Sequence, residues 1–215
     1  VMPNATDLAG NYSATQSAII VPQPQPQDIY YIFTVDDIAH DNGLQYSVVD
    51  MTLDDGKGNV SAKNIPLLSP TSEKITAVSH SNKNDVWIIA HEWNTNAFFA
   101  YLLTENGLND MPVISYVGSI HQGNDGGDAR GYLKATTDGT KLALALQSSA
   151  IFEIFDFDAN IGTVTNAKTI EGTAFDWSET YGVEFSPDGT KFYGTAEKDG
   201  MLNIYQFDLN AVNME

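Results

Sequence analysis

The feature that most constrains this chain is a turn that occurs twice in nearly the same words. Ser186-Pro187-Asp188-Gly189-Thr190-Lys191-Phe192 and Thr136-Thr137-Asp138-Gly139-Thr140-Lys141-Leu142 each follow an aromatic-containing apolar run and precede another. Asp-Gly supplies the positive φ of a tight turn between antiparallel strands, so each phrase reads as the corner of a hairpin. Earlier units carry polar turns at the same place. Ser79 to Asp85 precedes Val86-Trp87-Ile88-Ile89-Ala90, and Pro22 to Asp28 precedes Ile29-Tyr30-Tyr31-Ile32-Phe33. The equivalent positions Ile29, Val86, Leu142 and Phe192 lie 57, 56 and 50 residues apart. A regular period of this size is the mark of a repeat architecture.

A third strand recurs in each unit, at Tyr46 to Met51, Phe98 to Leu103, Phe152 to Phe157 and Leu202 to Phe207. A fourth follows in three of them: Val60 to Leu68, Val113 to Val117 and Val164 to Ile170. Their β-branched and aromatic content suits strands. Four antiparallel strands per period of about 50 residues is the blade of a β-propeller. The fold expected is all-β, with blades over 15–70, 71–120, 128–172 and 180–215. The first strand of each blade should line the axis: Ser17 to Val21, Ile75 to Val78, Arg130 to Ala135 and Gly182 to Phe185. The last unit stops before a fourth strand, and the leader Val1 to Ala14 is polar and turn-rich rather than strand-like. These units therefore read as an arc of a larger propeller. An open arc would expose two apolar blade faces and aggregate.

Charge narrows the partners. Ten Lys and Arg stand against 28 Asp and Glu, a formal charge of −18 over 215 residues. Such a surface repels phosphate backbones and anionic headgroups, which argues against nucleic acid. The acidity reads as solubility first and as divalent-cation binding second, since a cation needs converging oxygens. The absence of cysteine excludes disulfides, zinc-thiolate sites and thiol nucleophiles. No apolar run approaches a membrane span, and no signal peptide is visible. The abrupt opening Val1-Met2-Pro3 reads as the interior of something longer.

Several phrases together carry a family resemblance. They are Met2-Pro3-Asn4 through Leu8, Ser17 to Pro22, Ile29 to Asp36, Tyr46 to Met51, Glu73-Lys74-Ile75-Thr76-Ala77-Val78 and Tyr181 to Gly189. In this order they resemble the N-terminal, WD40/YVTN-like propeller of large Bacteroidota cell-surface proteins exported by type IX secretion. Those proteins commonly end in a gliding-motility-associated sorting domain. The resemblance implies a secreted or outer-surface location, a propeller continuing toward roughly seven blades, and contact with the secretion machinery through a sorting domain outside this chain. It implies no catalytic residues.

The candidate ligand-binding residues are Glu73, Arg130, Glu184, Trp93 and Trp177. The first three are charged residues beside axis-facing strands, where they would bind a ligand or pair to hold blades together. Trp93 and Trp177 sit in polar loops, where they would stack on a sugar or tuck over a blade edge. His40, His80, His91 and His121 show no metal-binding spacing and read as loop residues. Asp156 to Gly162 fails as a calcium loop, with Ile161 in the glycine position and Ala167 where the bidentate Glu belongs. Asp54 to Asn59 and Asn124 to Asp128 read as turns before cation loops, so calcium is a weak expectation and no other cofactor is expected. Nucleophile-elbow, phosphate-loop and dinucleotide motifs are absent. The expectation is a non-catalytic surface scaffold or recognition module, binding protein or glycan, and not an enzyme. The alternatives are a metal-dependent lactonase-like hydrolase at the channel, built on Glu73 and Glu184, and a glycan-binding module.

Overall fold

The structure is a computed structural model and describes residues 1–37 and 41–211. Its strands form four antiparallel sheets in chain order. Blade 1 is β1 (Ala18–Pro22), β2 (Ile29–Val35), β3 (Leu44–Asp50) and β4 (Asn59–Leu68). Blade 2 is β5 (Thr71–Ser79), β6 (Val86–Glu92) and β7 (Ala97–Thr104), with β8 (Gly107–Leu108) and β9 (Val113–Tyr116) both paired to β7. Blade 3 is β10 (Leu133–Ala135), β11 (Lys141–Leu146), β12 (Ile151–Asp158) and β13 (Thr163–Glu171). Blade 4 holds three strands, β14 (Glu179–Phe185), β15 (Lys191–Lys198) and β16 (Met201–Asp208). The fold is a β-propeller arc, and no strand opens a blade other than its innermost one.

The two Asp-Gly turns are built alike. Ser186 and Thr136 each donate a hydroxyl to the following Asp188 or Asp138 carboxylate at 2.6 Å, and that carboxylate also accepts the Thr190 or Thr140 amide at 3.0 Å. The Ser186 hydroxyl, with the Thr190 amide and hydroxyl, holds Asp188 down to about 2. Gly139 and Gly189 follow at φ +72° and +68°. An ion pair then ties the strand after each turn to the next strand of its blade, Lys141 to Asp156 at 2.7 Å and Lys191 to Asp208 at 3.1 Å.

The core lies between blades rather than within one. Blades 1 and 2 bury Phe33, Leu44, Ile75, Ile88 and Tyr101 between them. Blades 2 and 3 bury Ile89, Phe98, Leu142, Leu144 and Phe155. Blades 3 and 4 bury Phe152, Trp177, Val183, Phe192 and Phe207. Strand alternation sends successive side chains to opposite neighbours, which is why every blade reads apolar on both faces.

The two ends of the arc differ, which corrects the expectation of two bare faces. The leader runs along β4, where the Pro3 carbonyl accepts the Val60 amide (3.3 Å) and Asn64 bonds both Ala9 N and Asp7 O. It then crosses to β2, with Asn11 N donating to Val35 O. On the face it follows, Val49, Val60 and Thr34 are buried. Among the described residues, none covers the far face of blade 4 in this way. Met201, Leu202 and Ile204 are 65%, 71% and 76% exposed, beside a cavity of about 620 Å³ lined by Tyr132, Gly182, Tyr193 and Ile204. Introducing Leu202→Glu with Ile204→Lys should change unfolding free energy by less than about 0.5 kcal/mol, because neither side chain is packed. The same pair should abolish concentration-dependent self-association in sedimentation velocity if this face is the adhesive one.

Candidate functional site

The innermost strands β1, β5, β10 and β14 come together along one side of the arc, and the end of the leader is stitched across them. Gln16 acts as a staple between two blades: its Oε1 accepts the Leu133 amide (2.7 Å) and the Ile75 amide (3.4 Å), and its Nε2 donates to Leu133 O (3.1 Å). The neighbouring Thr15 joins three blades. Its amide and hydroxyl both donate to the Glu73 carboxylate, at 2.7 and 2.8 Å. Its hydroxyl oxygen accepts the Gly131 amide at 3.3 Å and the Tyr181 phenol at 3.2 Å. Glu73 is 1% exposed, while Thr15 is half-buried and Tyr181 39% exposed. The result is a hydrogen-bonded chain, Tyr181 to Thr15 to Glu73, running from the surface to a buried carboxylate.

Of the residues singled out from sequence, Glu73 ends this chain and Arg130 immediately precedes Gly131, one of its donors. Glu184 is elsewhere. It pairs with Lys134 at 3.4 Å with 60% of its side chain exposed, and Lys134 lies 5.8 Å from the Tyr132 ring. A pair so exposed contributes little, about 0–1 kcal/mol. Trp93 and Trp177 are buried, at 8% and 5% exposure, and the Trp177 indole donates to Ala150 O at 2.6 Å and stacks on Phe175. Both rings are thus largely withdrawn from solvent, and Trp177 lines a cavity with Ala150, Glu171 and Asp176. Thr15, Tyr132 and Tyr181 were missed because nothing local marks them; the long-range Gln16 and Thr15 contacts make the site.

Metal binding fits poorly here. Among the described residues no group of three or more His, Asp or Glu side chains is arranged to hold an ion. Asp156 binds Lys141 and Asn166, and the Asp158 carboxylate accepts the Asn160 amide, which is a strand ending in a hairpin turn. Asp128 is committed to the Ser149 amide and hydroxyl, at 2.8 and 2.6 Å. His80 bonds Asn160 O and the Asn82 amide in an exposed turn. His40 lies outside the described residues. A channel mechanism resting on a divalent ion between Glu73 and Glu184 therefore has no donor set among the described residues.

Two histidines correct the reading of loop residues. His91 and His121 are 0% exposed and stack with ring centroids 3.3 Å apart and planes 11° apart. Lys74, also 0% exposed, lies in the same interior, its ammonium donating to the carbonyls of Asp128, Ala129 and Arg130 at 2.7, 2.8 and 2.7 Å. Burial lowers the Lys74 ammonium to about 7, partly offset by Asp128 and Glu73.

No protein-family model matches the sequence, and no curated protein matches it. Solved structures do share the fold. A protein from Lactobacillus plantarum is similar with a TM-score of 0.58 at 15% identity, over 91% of this chain and 54% of that one. The β-propeller domain of Cps50 (Swd1) from Myceliophteria thermophila gives 0.52 at 13%, over 88% and 55%. The periplasmic gluconolactonase of Pseudomonas aeruginosa gives 0.51 at 12%, over 90% and 53%. The chain thus spans little more than half the length of each. Identities this low show the fold alone. They nonetheless correct the expectation that the chain is not an enzyme. That expectation rested on missing nucleophile and phosphate motifs, and a gluconolactonase is built on this same architecture.

Proposed function

We propose that the chain forms part of a lactonase-like hydrolase, with the substrate held where β5, β10 and β14 converge and without a metal. The observation that carries this reading is the Tyr181–Thr15–Glu73 hydrogen-bonded chain, which couples a buried carboxylate to a half-exposed hydroxyl. The likeness to a gluconolactonase fold supports it. In the proposed step the Tyr181 hydroxyl turns from Thr15 toward the substrate, Glu73 draws the Thr15 proton, and the Thr15 lone pair so freed takes a proton from water. That water adds to the lactone carbonyl carbon. The ring C–O bond then breaks, the leaving oxygen takes a proton from the Tyr181 phenol to give the open hydroxy acid, and the proton held by Glu73 returns through Thr15 to the tyrosinate. Arg130 would stabilise the oxygen on which charge develops.

The test is proton release from a neutral δ-lactone followed at constant pH. Wild type should exceed the spontaneous rate. Glu73→Gln should lose about 100-fold in kcat, the order that general base catalysis supplies. Tyr181→Phe should lose less, with KM little changed. No rate above background, or a folded Glu73→Gln variant at full rate, ends this reading.

The propeller as part of an exported surface protein, continued by further blades, remains our proposal for its setting, supported by the order of family phrases in the sequence. Reading the parent gene beyond Glu215 tests it, since further blades and a sorting domain should follow.

A further inference from the structure

The stacked imidazoles are a costly buried polar arrangement, and the axial chemistry does not use them. His91 Nδ1 has the Glu92 carbonyl at 2.9 Å, but His91 Nε2 and both ring nitrogens of His121 are buried without a hydrogen-bond partner. Phe98 covers His91 edge-on at 4.7 Å. A buried polar atom left unpaired costs about 1–3 kcal/mol, so two such rings in contact make a weak point in an otherwise apolar surrounding. The rings are parallel, so their lone pairs run side by side rather than converging, which does not suit a shared metal.

The weak point sits under one segment. His121 belongs to the connector from blade 2 to blade 3, residues 117–132, and its backbone is bonded to Asn94 and Thr95. Lys74 holds the far half of that connector by the carbonyls of Asp128, Ala129 and Arg130. The ionisable groups on the enclosing elements are Glu73 and Lys74 on β5, Glu92 beside His91, Asp128 and Arg130 in the connector, and Glu153 on β12. The Glu153 carboxylate is committed to the Ser119 amide and hydroxyl, at 3.1 and 2.9 Å. None of these carboxylates bonds either imidazole in a way that would welcome a proton, while the Lys74 ammonium opposes one.

We propose that the His91–His121 pair is an acid-operated latch that releases the 117–132 connector, and with it Arg130, from the axial wall. When either ring gains a proton, a second cation stands beside Lys74 in a fully buried site. The closed arrangement then opens by swinging the connector out, where both imidazolium ions are solvated.

The pH window follows from the direction of the shifts. Burial, reinforced by Lys74, lowers His91 to about 3 in the closed state, and burial with His91 and Lys74 lowers His121 well below its ordinary value of 6.5. The open state therefore binds more protons than the closed one below 6.5. Stability of the closed state is full above that value and falls as pH drops through it. Lys74 stays protonated in both states across this range, so it adds no slope of its own.

Hydrogen exchange by mass spectrometry, corrected for intrinsic rates, tests the latch between pH 6 and 4.5. Opening of peptides from 117–132 should rise about 100-fold per pH unit in wild type, tenfold for each histidine. His91→Phe and His121→Phe should each reduce this to about tenfold, and the double variant should abolish it. Blade 1 peptides should keep their protection throughout. Should the double variant not fold, the two single-variant slopes decide the matter. Three results overturn the proposal: a pH-independent connector in wild type, undiminished slopes in the single variants, or equal acid sensitivity in every blade, which would be global unfolding. Each readout is independent of lactone hydrolysis, so failure of the proposed activity leaves this test intact.

Discussion

Phe152→Ala is expected to lower the unfolding free energy by about 3–5 kcal/mol, the range for removing a large aromatic from a closed core. Phe152 is fully buried between blades 3 and 4, with Trp177 and Phe192 each 5.4 Å away, centroid to centroid. Its ring also fills the space above Gly194, where an added Cβ would fall 2.4 Å from it. Backbone on one side and two aromatics on the other leave little room for collapse, so the cavity should persist. Blade 4 supplies an internal control. Ala145 pairs with Phe152, and the equivalent Thr195 pairs with Ile204, so Ile204 occupies the same position one blade on. Ile204 is 76% exposed, and Ile204→Ala should cost less than about 0.5 kcal/mol. Urea denaturation of the two variants side by side checks both. Equal losses would mean that the blade 3–blade 4 contact is not a core.

The second large effect is expected at Gly131→Ala, with a loss of about 3 kcal/mol or more. Gly131 has φ +107°, beyond the left-handed region that alanine tolerates, and an added Cβ would lie 2.5 Å from the Ala145 carbonyl oxygen. Strain of that kind costs about 1–3 kcal/mol before any backbone shift is counted. The shift would be felt at once, because the Gly131 amide donates to Thr15 and the Tyr132 carbonyl accepts the Ala145 amide. Thermal melting gives the stability. Loss of the Thr15 contact should also appear as faster exchange at the leader, which a purely local effect on blade 3 would leave unchanged.

The architecture was readable because each blade repeats its own instructions locally. The Asp-Gly corners need only four or five residues, and the strand that follows each corner is marked by its composition. The edge between axis-facing and outer strands was readable for the same reason. The site was not, because its parts come from residues 15, 73, 131 and 181, brought together by the winding of blades rather than by any spacing in the chain. The burial of the two histidines was not readable on similar grounds. His91 ends a strand and His121 lies in a connector, positions that look solvent-facing in sequence, and only the packing of blade 2 on blade 3 buries them. The leader shows the reverse error. Its polar composition is real, but Pro3, Asn11, Thr15 and Gln16 use backbone and amide groups to bond the blades, and polarity there serves docking rather than exposure.

The Gln16 staple also sets an order of events. Its partners on Leu133 are 117 residues further along the chain. A ribosome delivers the N-terminus first, so the leader must wait until blade 3 has emerged before it can seat. At about 5–20 residues per second that delay is on the order of 6–20 seconds. Blades 1 and 2 have by then been free to pair on contacts close in sequence, which form quickly. The leader, made before the blades it joins, is thus among the last to reach its place, and in the interval the Glu73 carboxylate stands without the two Thr15 donors that hold it in the finished fold.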